Sequence, residues 1–311
     1  MSSLTLLELI EQGAARLAAA GVAFGHGTTN AFDEAAWLAL WRLGLPLDSD
    51  LGNQQVANSP VEPTEVERVA VLFDQRISSR QPAAYLTKEA WLQGVPFYVD
   101  ERVIVPRSLI AELIVDAAID PWLDESTTRV LDLCTGNGSL AVLAALAFPD
   151  IVVTASDLSQ DALDVARINV AKHALEIRVA LLQSDGLASP ALQARGPFDL
   201  ILCNPPYVNA ESMAVLPPEF LAEPKLALDG NTQGGSDGMD FIRKLLAAVP
   251  ALMSPRAVLV LEIGNERHHF EAAFPHLEAV WLATRAGEDQ VLLLTRDALS
   301  PITPLSTFSP T

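Results

Sequence analysis

Phe198-Asp199-Leu200-Ile201-Leu202-Cys203-Asn204-Pro205-Pro206-Tyr207 joins a short apolar run to a polar turn stiffened by two prolines. The run predicts a buried parallel strand, and the prolines neither continue a strand nor enter a helical turn freely. Such a strand delivers its turn to the carboxyl edge of an open α/β sheet, where sheets of this kind bind ligands. Asn204 offers a carboxamide oxygen and Pro205 a carbonyl. Together they can take both hydrogens of a planar NH2 group while Pro206 stiffens the turn and Tyr207 lies against the group's face. Taken alone, Asn-Pro-Pro-Tyr serves as well as a rigid loop punctuator. Its place after a strand, downstream of a glycine loop, favours a site.

Upstream, a strand, turn and helix unit repeats. Arg129 to Cys134 predicts a strand, Thr135-Gly136-Asn137-Gly138 a glycine loop and Ser139 to Phe148 a helix. Ile151 to Ser156 predicts a second strand ending at Asp157, with a helix from Ser159 to Ala174, and Val179 to Gln183 a third ending at Ser184-Asp185. Strands alternating with helices imply a mostly parallel sheet covered on both faces, an α/β Rossmann-like architecture. Downstream, a polar, glycine-rich excursion runs to Asp237, of the length common in lids and binding loops. A helix from Met239, a strand over Ala257–Ile263, a helix around Phe270 and a closing pair of strands at Val280 and Val291 complete the pattern.

From Leu4 to Arg80 apolar residues recur at three- and four-residue intervals, predicting a small helical bundle in which Thr64 and Glu67 form a capping box. Such a bundle suits a substrate-reading domain, or equally a lid or spacer. Trp91–Val99 and Val103–Val105 predict two strands about an Asp100-Glu101-Arg102 turn, a hairpin joining the domains. The expected organisation is residues 1–81 helical, 82–107 hairpin linker, 108–298 catalytic and 299–311 a disordered Pro/Ser/Thr-rich tail. Phe97, Tyr98, Arg107 and Pro206 are candidate substrate contacts, set against plain core packing and a solvated arginine.

The chain has 311 residues and a formal net charge of -19, with no cluster of basic residues. That balance opposes a grip on nucleic-acid phosphates and suits a basic protein partner, or solubility alone. The start lacks a basic-then-apolar leader and no apolar stretch reaches membrane-spanning length, so the expectation is a soluble, cytoplasmic protein. Cys134 and Cys203 close two predicted strands without metal-ligand or disulfide spacing, and their strands can bring them together at the site rim. The five histidines lie far from the motifs in sequence and read as surface or packing residues.

Gly136 and Gly138 sit where the backbone must turn sharply and admit a ligand. Glycines alone fit nicotinamide and flavin dinucleotides too. Asp157, with Leu158 after it, lies where a carboxylate would chelate a ribose diol, or else caps a helix. Asp185 can receive an adenine amino group or cap its loop. Asp132, ahead of Thr135 and the glycines, can hold the loop or approach a cation. A dinucleotide enzyme needs neither Asp132 nor the amide-gripping turn. S-adenosylmethionine fits better, with a ribose and adenine to hold, a sulfonium favoured by acidic surroundings and a methyl group to aim at Asn204.

Asp132-Leu133-Cys134-Thr135-Gly136-Asn137-Gly138, Asp157 and Asn204-Pro205-Pro206-Tyr207 resemble the cofactor and amide-binding motifs of class I S-adenosylmethionine-dependent protein-glutamine N5-methyltransferases. The resemblance spans Leu4 to Asp297 and takes in Glu223-Pro224, Glu262-Ile263-Gly264 and Val105-Pro106-Arg107-Ser108. The last is similar to the branch that methylates large-subunit ribosomal protein L-three. Two departures stand out: Leu109 where that branch commonly has proline, and a longer segment from Asn231 to Ser236.

The resemblance implies in-line methyl transfer to the side-chain nitrogen of a protein glutamine. Asn204 and the Pro205 carbonyl would draw both N–H bonds and stabilise positive charge growing on a poor nucleophile, with no general base needed beforehand. A release-factor glutamine methyltransferase is the nearest rival. An adenine-N6 DNA methyltransferase would need a basic face and a base-flipping pocket. A cofactor-binding ribosome-assembly factor without turnover is the non-enzymatic alternative.

Overall fold

The computed structural model describes residues 4–299. The expected tail from Ser300 onward lies outside the described residues. They divide into two compact units, one of residues 4–107 with 214–227 and the other of 108–213 with 228–299.

The second unit is built on a seven-stranded sheet. Its strands are β3 (Arg129–Leu133), β4 (Val152–Asp157), β5 (Val179–Gln183), β6 (Phe198–Cys203), β7 (Met253–Glu262), β8 (Val280–Thr284) and β9 (Gly287–Thr295). The strand order is β5-β4-β3-β6-β7-β9-β8. The first five are parallel to one another, whereas β9 runs antiparallel to β7 and β8 antiparallel to β9. Apolar runs such as Leu200-Ile201-Leu202, fully buried, are what a sheet covered on both faces requires. Phe198, Ile201, Leu259, Phe270 and Leu292 meet in its core cluster. From β3 the chain winds outward through β4 to β5, then returns to lay β6 on β3's other side. That reversal opens a crevice beyond the carboxyl ends of β3 and β6.

The first unit packs helices Leu6–Ala19, Ala31–Leu43 and Pro63–Ser79 around Leu6, Ile10, Leu17, Leu38 and Phe73. Gly13 lets the first and last approach: a Cβ there would stand 2.2 Å from the Phe73 ring. The capping box is at Thr5 and Glu8, not Thr64 and Glu67. Pro63, its φ preset for the first helical position, starts the last helix a residue earlier than Thr64 could cap it.

The hairpin also differs from expectation. Its strands are β1 (Glu89–Leu92) and β2 (Val95–Tyr98), and residues 103–105 form no strand. Gln93 and Gly94 turn the chain with φ of 50° and 75°, left-handed at both positions as a tight hairpin demands. The Asp100 carboxylate instead ties up the following bend, accepting from Arg102 and from the Tyr98 hydroxyl at 2.9 Å.

Residues 214–227 join this unit through two enclosed carboxylates. Glu219 accepts from Arg76 at 3.2 Å and from Arg80 at 3.1 Å, while Arg76, itself wholly buried, also holds Glu34 at 2.8 Å. Glu223 takes Arg107 in a two-pronged pair at 2.7 and 2.8 Å and the Val105 N–H at 2.9 Å, with His26 Nε2 3.4 Å away. Burial alone would raise the Glu223 carboxyl, but His26 and Arg107 outweigh it and hold its pKa down at about 2.

Candidate active site

Three loops leave the carboxyl edge of the sheet side by side. Leu133 stands opposite Cys203 and Ser156, so the residues after β3, β6 and β4 emerge together. This register brings Thr135–Gly138, Asn204–Tyr207 and Asp157 to one crevice.

The glycine loop is held from both ends by acids. Asp132 is fully enclosed, and its Oδ2 accepts from the Thr135 hydroxyl and from Ala141 N at 3.0 Å, tying the end of β3 to the helix Ser139–Ala147. Burial pushes its pKa up to about 7, against the opposing pull of the Thr135 and Ala141 hydrogen bonds. Its Oδ1 is buried and, among the described residues, has no hydrogen-bond partner. Asp157 Oδ2 accepts from Gly136 N at 2.9 Å and Oδ1 from Ser159 N at 2.9 Å, so one carboxylate bridges two loops. Burial raises its pKa too, although the backbone donors oppose the shift. The helix cap at this position is Ser159, which accepts from Ala162 N. Asp157 is thereby left at the crevice with acceptor capacity remaining on each oxygen.

The two glycines differ in purpose. A Cβ on Gly136, at φ 55°, would meet nothing within 4 Å, which fits a backbone approached by a ligand. One on Gly138 would stand 3.1 Å from Ala166 Cβ, so that glycine admits the neighbouring helix Gln160–Lys172, and close ligand approach is not its reason. Leu158 leaves 46% of its surface exposed beside Asp157, an apolar face next to a carboxylate. Asp185 is exposed one residue past Ser184, whose hydroxyl bonds Gly186 O and Ser189 N.

At the turn after β6, Asn204 is half-buried, and neither its carboxamide nor the Pro205 carbonyl is spent on a hydrogen bond among the described residues. Pro205 is buried, and Pro206 and Tyr207 half-buried. The Tyr207 ring packs on the core cluster and against Gly264, where a Cβ would stand 2.6 Å from it.

The structure places the anticipated substrate contacts as follows. Phe97 is completely enclosed and leaves no face for a ligand. Tyr98 spends its hydroxyl on Asp100, and Arg107 is bound to Glu223 and lies over the Phe220 ring. Cys134 and Cys203 do meet: their hydrogen bond, then burial, pushes the Cys134 thiol well above its ordinary value, the opposite of a reactive thiolate.

Glu262 was legible only as part of a motif. Buried at the end of β7, it accepts from Ser108 Oγ at 2.6 Å and Leu109 N at 2.9 Å. Asn209, which donates to Glu266 at 2.8 and 2.9 Å, carried no signal in the sequence.

Residues 116–233 match the family model "Methyltransferase small domain". A Bordetella pertussis protein named "Ribosomal protein uL3 glutamine methyltransferase" is 53% identical over 298 residues, 95% of this chain and 96% of the relative. A Burkholderia pseudomallei protein of the same name is 46% identical over 304 residues, 96% of each. Among solved structures, the hMettl16 catalytic domain in complex with MAT2A 3'UTR hairpin 6 aligns with a TM-score of 0.50 at 13% identity, over 75% of this chain and 81% of that one. It is a likeness of fold.

Proposed function

The chain belongs to the ribosomal protein uL3 glutamine methyltransferases, and we propose that it transfers a methyl group from S-adenosylmethionine to the side-chain N5 nitrogen of a glutamine in uL3, using Asn204 to Tyr207 as the acceptor turn. The observation that carries this reading is the adjacency of that turn to a carboxylate-braced glycine loop at the sheet's switch point.

The residues fit the cofactor. Gly136 is open, and Asp157 retains acceptor capacity toward a diol. Asp132 itself acts through the loop that it holds, with Thr135. Leu158 offers its apolar side to a flat ring and Asp185 an acceptor to an amino group. When bound, S-adenosylmethionine supplies an electrophilic methyl carbon.

The protein's own work is at the nitrogen. An amide nitrogen is a weak nucleophile because its lone pair is shared with the carbonyl. Asn204 Oδ1 and the Pro205 carbonyl accept its two N–H bonds, fix its direction and stabilise the charge that grows on it. The Tyr207 ring forms the wall. No side chain need remove a proton beforehand, since the methylated nitrogen is acidic enough to lose it afterwards.

The acidic chain suits a basic partner, and action on a ribosomal protein supports a cytoplasmic setting. Among the described residues no helix is long and apolar enough to cross a membrane. The test is to incubate the protein and labelled S-adenosylmethionine separately with uL3 and with release factors, then locate the methyl group by mass spectrometry. Label on a uL3 glutamine is the expected result, and label on a release factor alone would overturn the substrate assignment.

A further inference from the structure

The excursion beyond the acceptor turn was expected to be a lid or binding loop, yet residues 229–240 are folded tightly onto the turn itself. Asn231 Nδ2 donates to the Val208 carbonyl at 3.2 Å and to Asp229 Oδ1 at 2.9 Å, while its Oδ1 accepts from Gly238 N at 2.8 Å. Val208, the residue after Tyr207, is further paired through its N–H to Leu228 O at 2.9 Å and through its carbonyl to Gly230 N at 3.1 Å. Asp240 Oδ2 gathers the rest of the loop, accepting from Gln233 N at 2.7 Å and Gly235 N at 3.1 Å.

Backbone packs directly on backbone here. A Cβ on Gly238 would stand 2.1 Å from the Tyr207 carbonyl oxygen, and one on Gly230 2.3 Å from the Gly238 carbonyl oxygen. The backbone at Tyr207 and Val208 therefore lies in close contact with the segments at Gly230 and Gly238. On its other side the Tyr207 ring rests against Gly264, just past the end of β7.

We propose that Asn231 is a positioning residue for methyl transfer, which with Asp240 folds residues 229–240 into a fixed bracket that seats Tyr207 and the acceptor turn. The inference rests on the reading of Asn204 to Tyr207 as the acceptor site. The Asn231 carboxamide suits that role because it joins the Val208 carbonyl to Gly238 N, backbone on either side of the Tyr207 carbonyl.

The chain has three tyrosines, Tyr85, Tyr98 and Tyr207. Fluorine NMR of the full chain labelled with fluorotyrosine therefore gives a small set of signals, with Tyr207→Phe identifying its own and Tyr85 and Tyr98 reporting on folding elsewhere. Asn231→Ala should shift or broaden the Tyr207 signal alone and lower kcat on uL3 by about tenfold or more, the scale expected of misplacement, with cofactor affinity kept. Gly264→Ala, reaching the ring from the other side, should move the same signal. Asp240→Asn keeps an acceptor oxygen and should restore the signal lost in Asp240→Ala.

An unmoved Tyr207 signal in Asn231→Ala, or a moved signal with unchanged kcat, would overturn the proposal. So would a fall in kcat matched by disturbance of all three tyrosines. A wild-type protein inactive on uL3 would instead overturn the substrate assignment, and the fluorine spectra would still decide whether Asn231 seats Tyr207.

Discussion

Asp132→Asn isolates the cost of a buried charge. The side chain keeps its shape, and its amide oxygen still accepts from Thr135 and Ala141. In the folded protein burial lifts the Asp132 pKa to about 7, whereas in the unfolded chain it returns to about 3.9. Below both values the native and unfolded states are equally protonated and no stability is lost. As pH rises from about 4, the unfolded chain gives up the proton while the folded protein keeps it, so stability falls until the folded group titrates near 7 and is level thereafter. The full span corresponds to roughly 4 kcal/mol, and the part between pH 5 and 8 to roughly 2 to 3 kcal/mol. Asn has no such loss. Its amide does place donors where Oδ1 had no partner, which adds a penalty that does not vary with pH, so the informative quantity is the slope. Thermal melts of both proteins from pH 5 to 8 should show the Tm of Asp132→Asn gaining on wild type by roughly 5 to 10 °C. A gap that stays constant, or that widens toward acid, would refute the burial argument.

Asn204→Ala should lower turnover on uL3 by about a hundredfold or more, as removal of a charge-stabilising acceptor does, with S-adenosylmethionine affinity kept, as calorimetry can check. Asp157→Ala should do the reverse, weakening cofactor binding more than about tenfold through loss of a buried acceptor while turnover at saturating cofactor is largely retained. If both variants lost only cofactor affinity, the division of roles would be wrong. Arg107→Ala strips the two-pronged partner from buried Glu223 and should cost about 3 kcal/mol in urea unfolding. A stable variant with a raised KM for uL3 would return Arg107 to the substrate.

The parallel strands were legible because each is a short apolar run closed by a glycine, an acid or a proline at the edge where function gathers. Asp132, Asp157 and Asn204 stood out in the sequence for the same reason, as polar residues at or beside the ends of those runs. The hairpin turn was misplaced because Trp91 to Val99 looks like one continuous strand, whereas Gln93 and Gly94 reverse it inside the run. Nothing local marks residues 214–227 as part of the helical unit, since the partners of Glu219 and Glu223 lie more than a hundred positions away: Arg76 is 143 residues from Glu219 and Arg107 is 116 from Glu223. The bracket was hidden similarly. Its length and glycines suggested a lid or binding loop, but Gly230 and Gly238 are there for close packing.

The segment Val105 to Leu109, whose resemblance bears on the choice between substrates, serves two buried carboxylates. Within the first unit Glu223 takes Val105 N and both prongs of Arg107, and within the second Glu262 takes Ser108 Oγ and Leu109 N. Leu109 occupies a position where the resemblance led one to expect proline. Proline has no N–H, so the bond to Glu262 at 2.9 Å exists here because that residue is absent. The departure is therefore compensated within the structure: Glu262 gains a second donor where a proline would have supplied rigidity. The assignment to uL3 consequently rests on 53% identity over 298 residues, 95% of the chain, and not on these five residues.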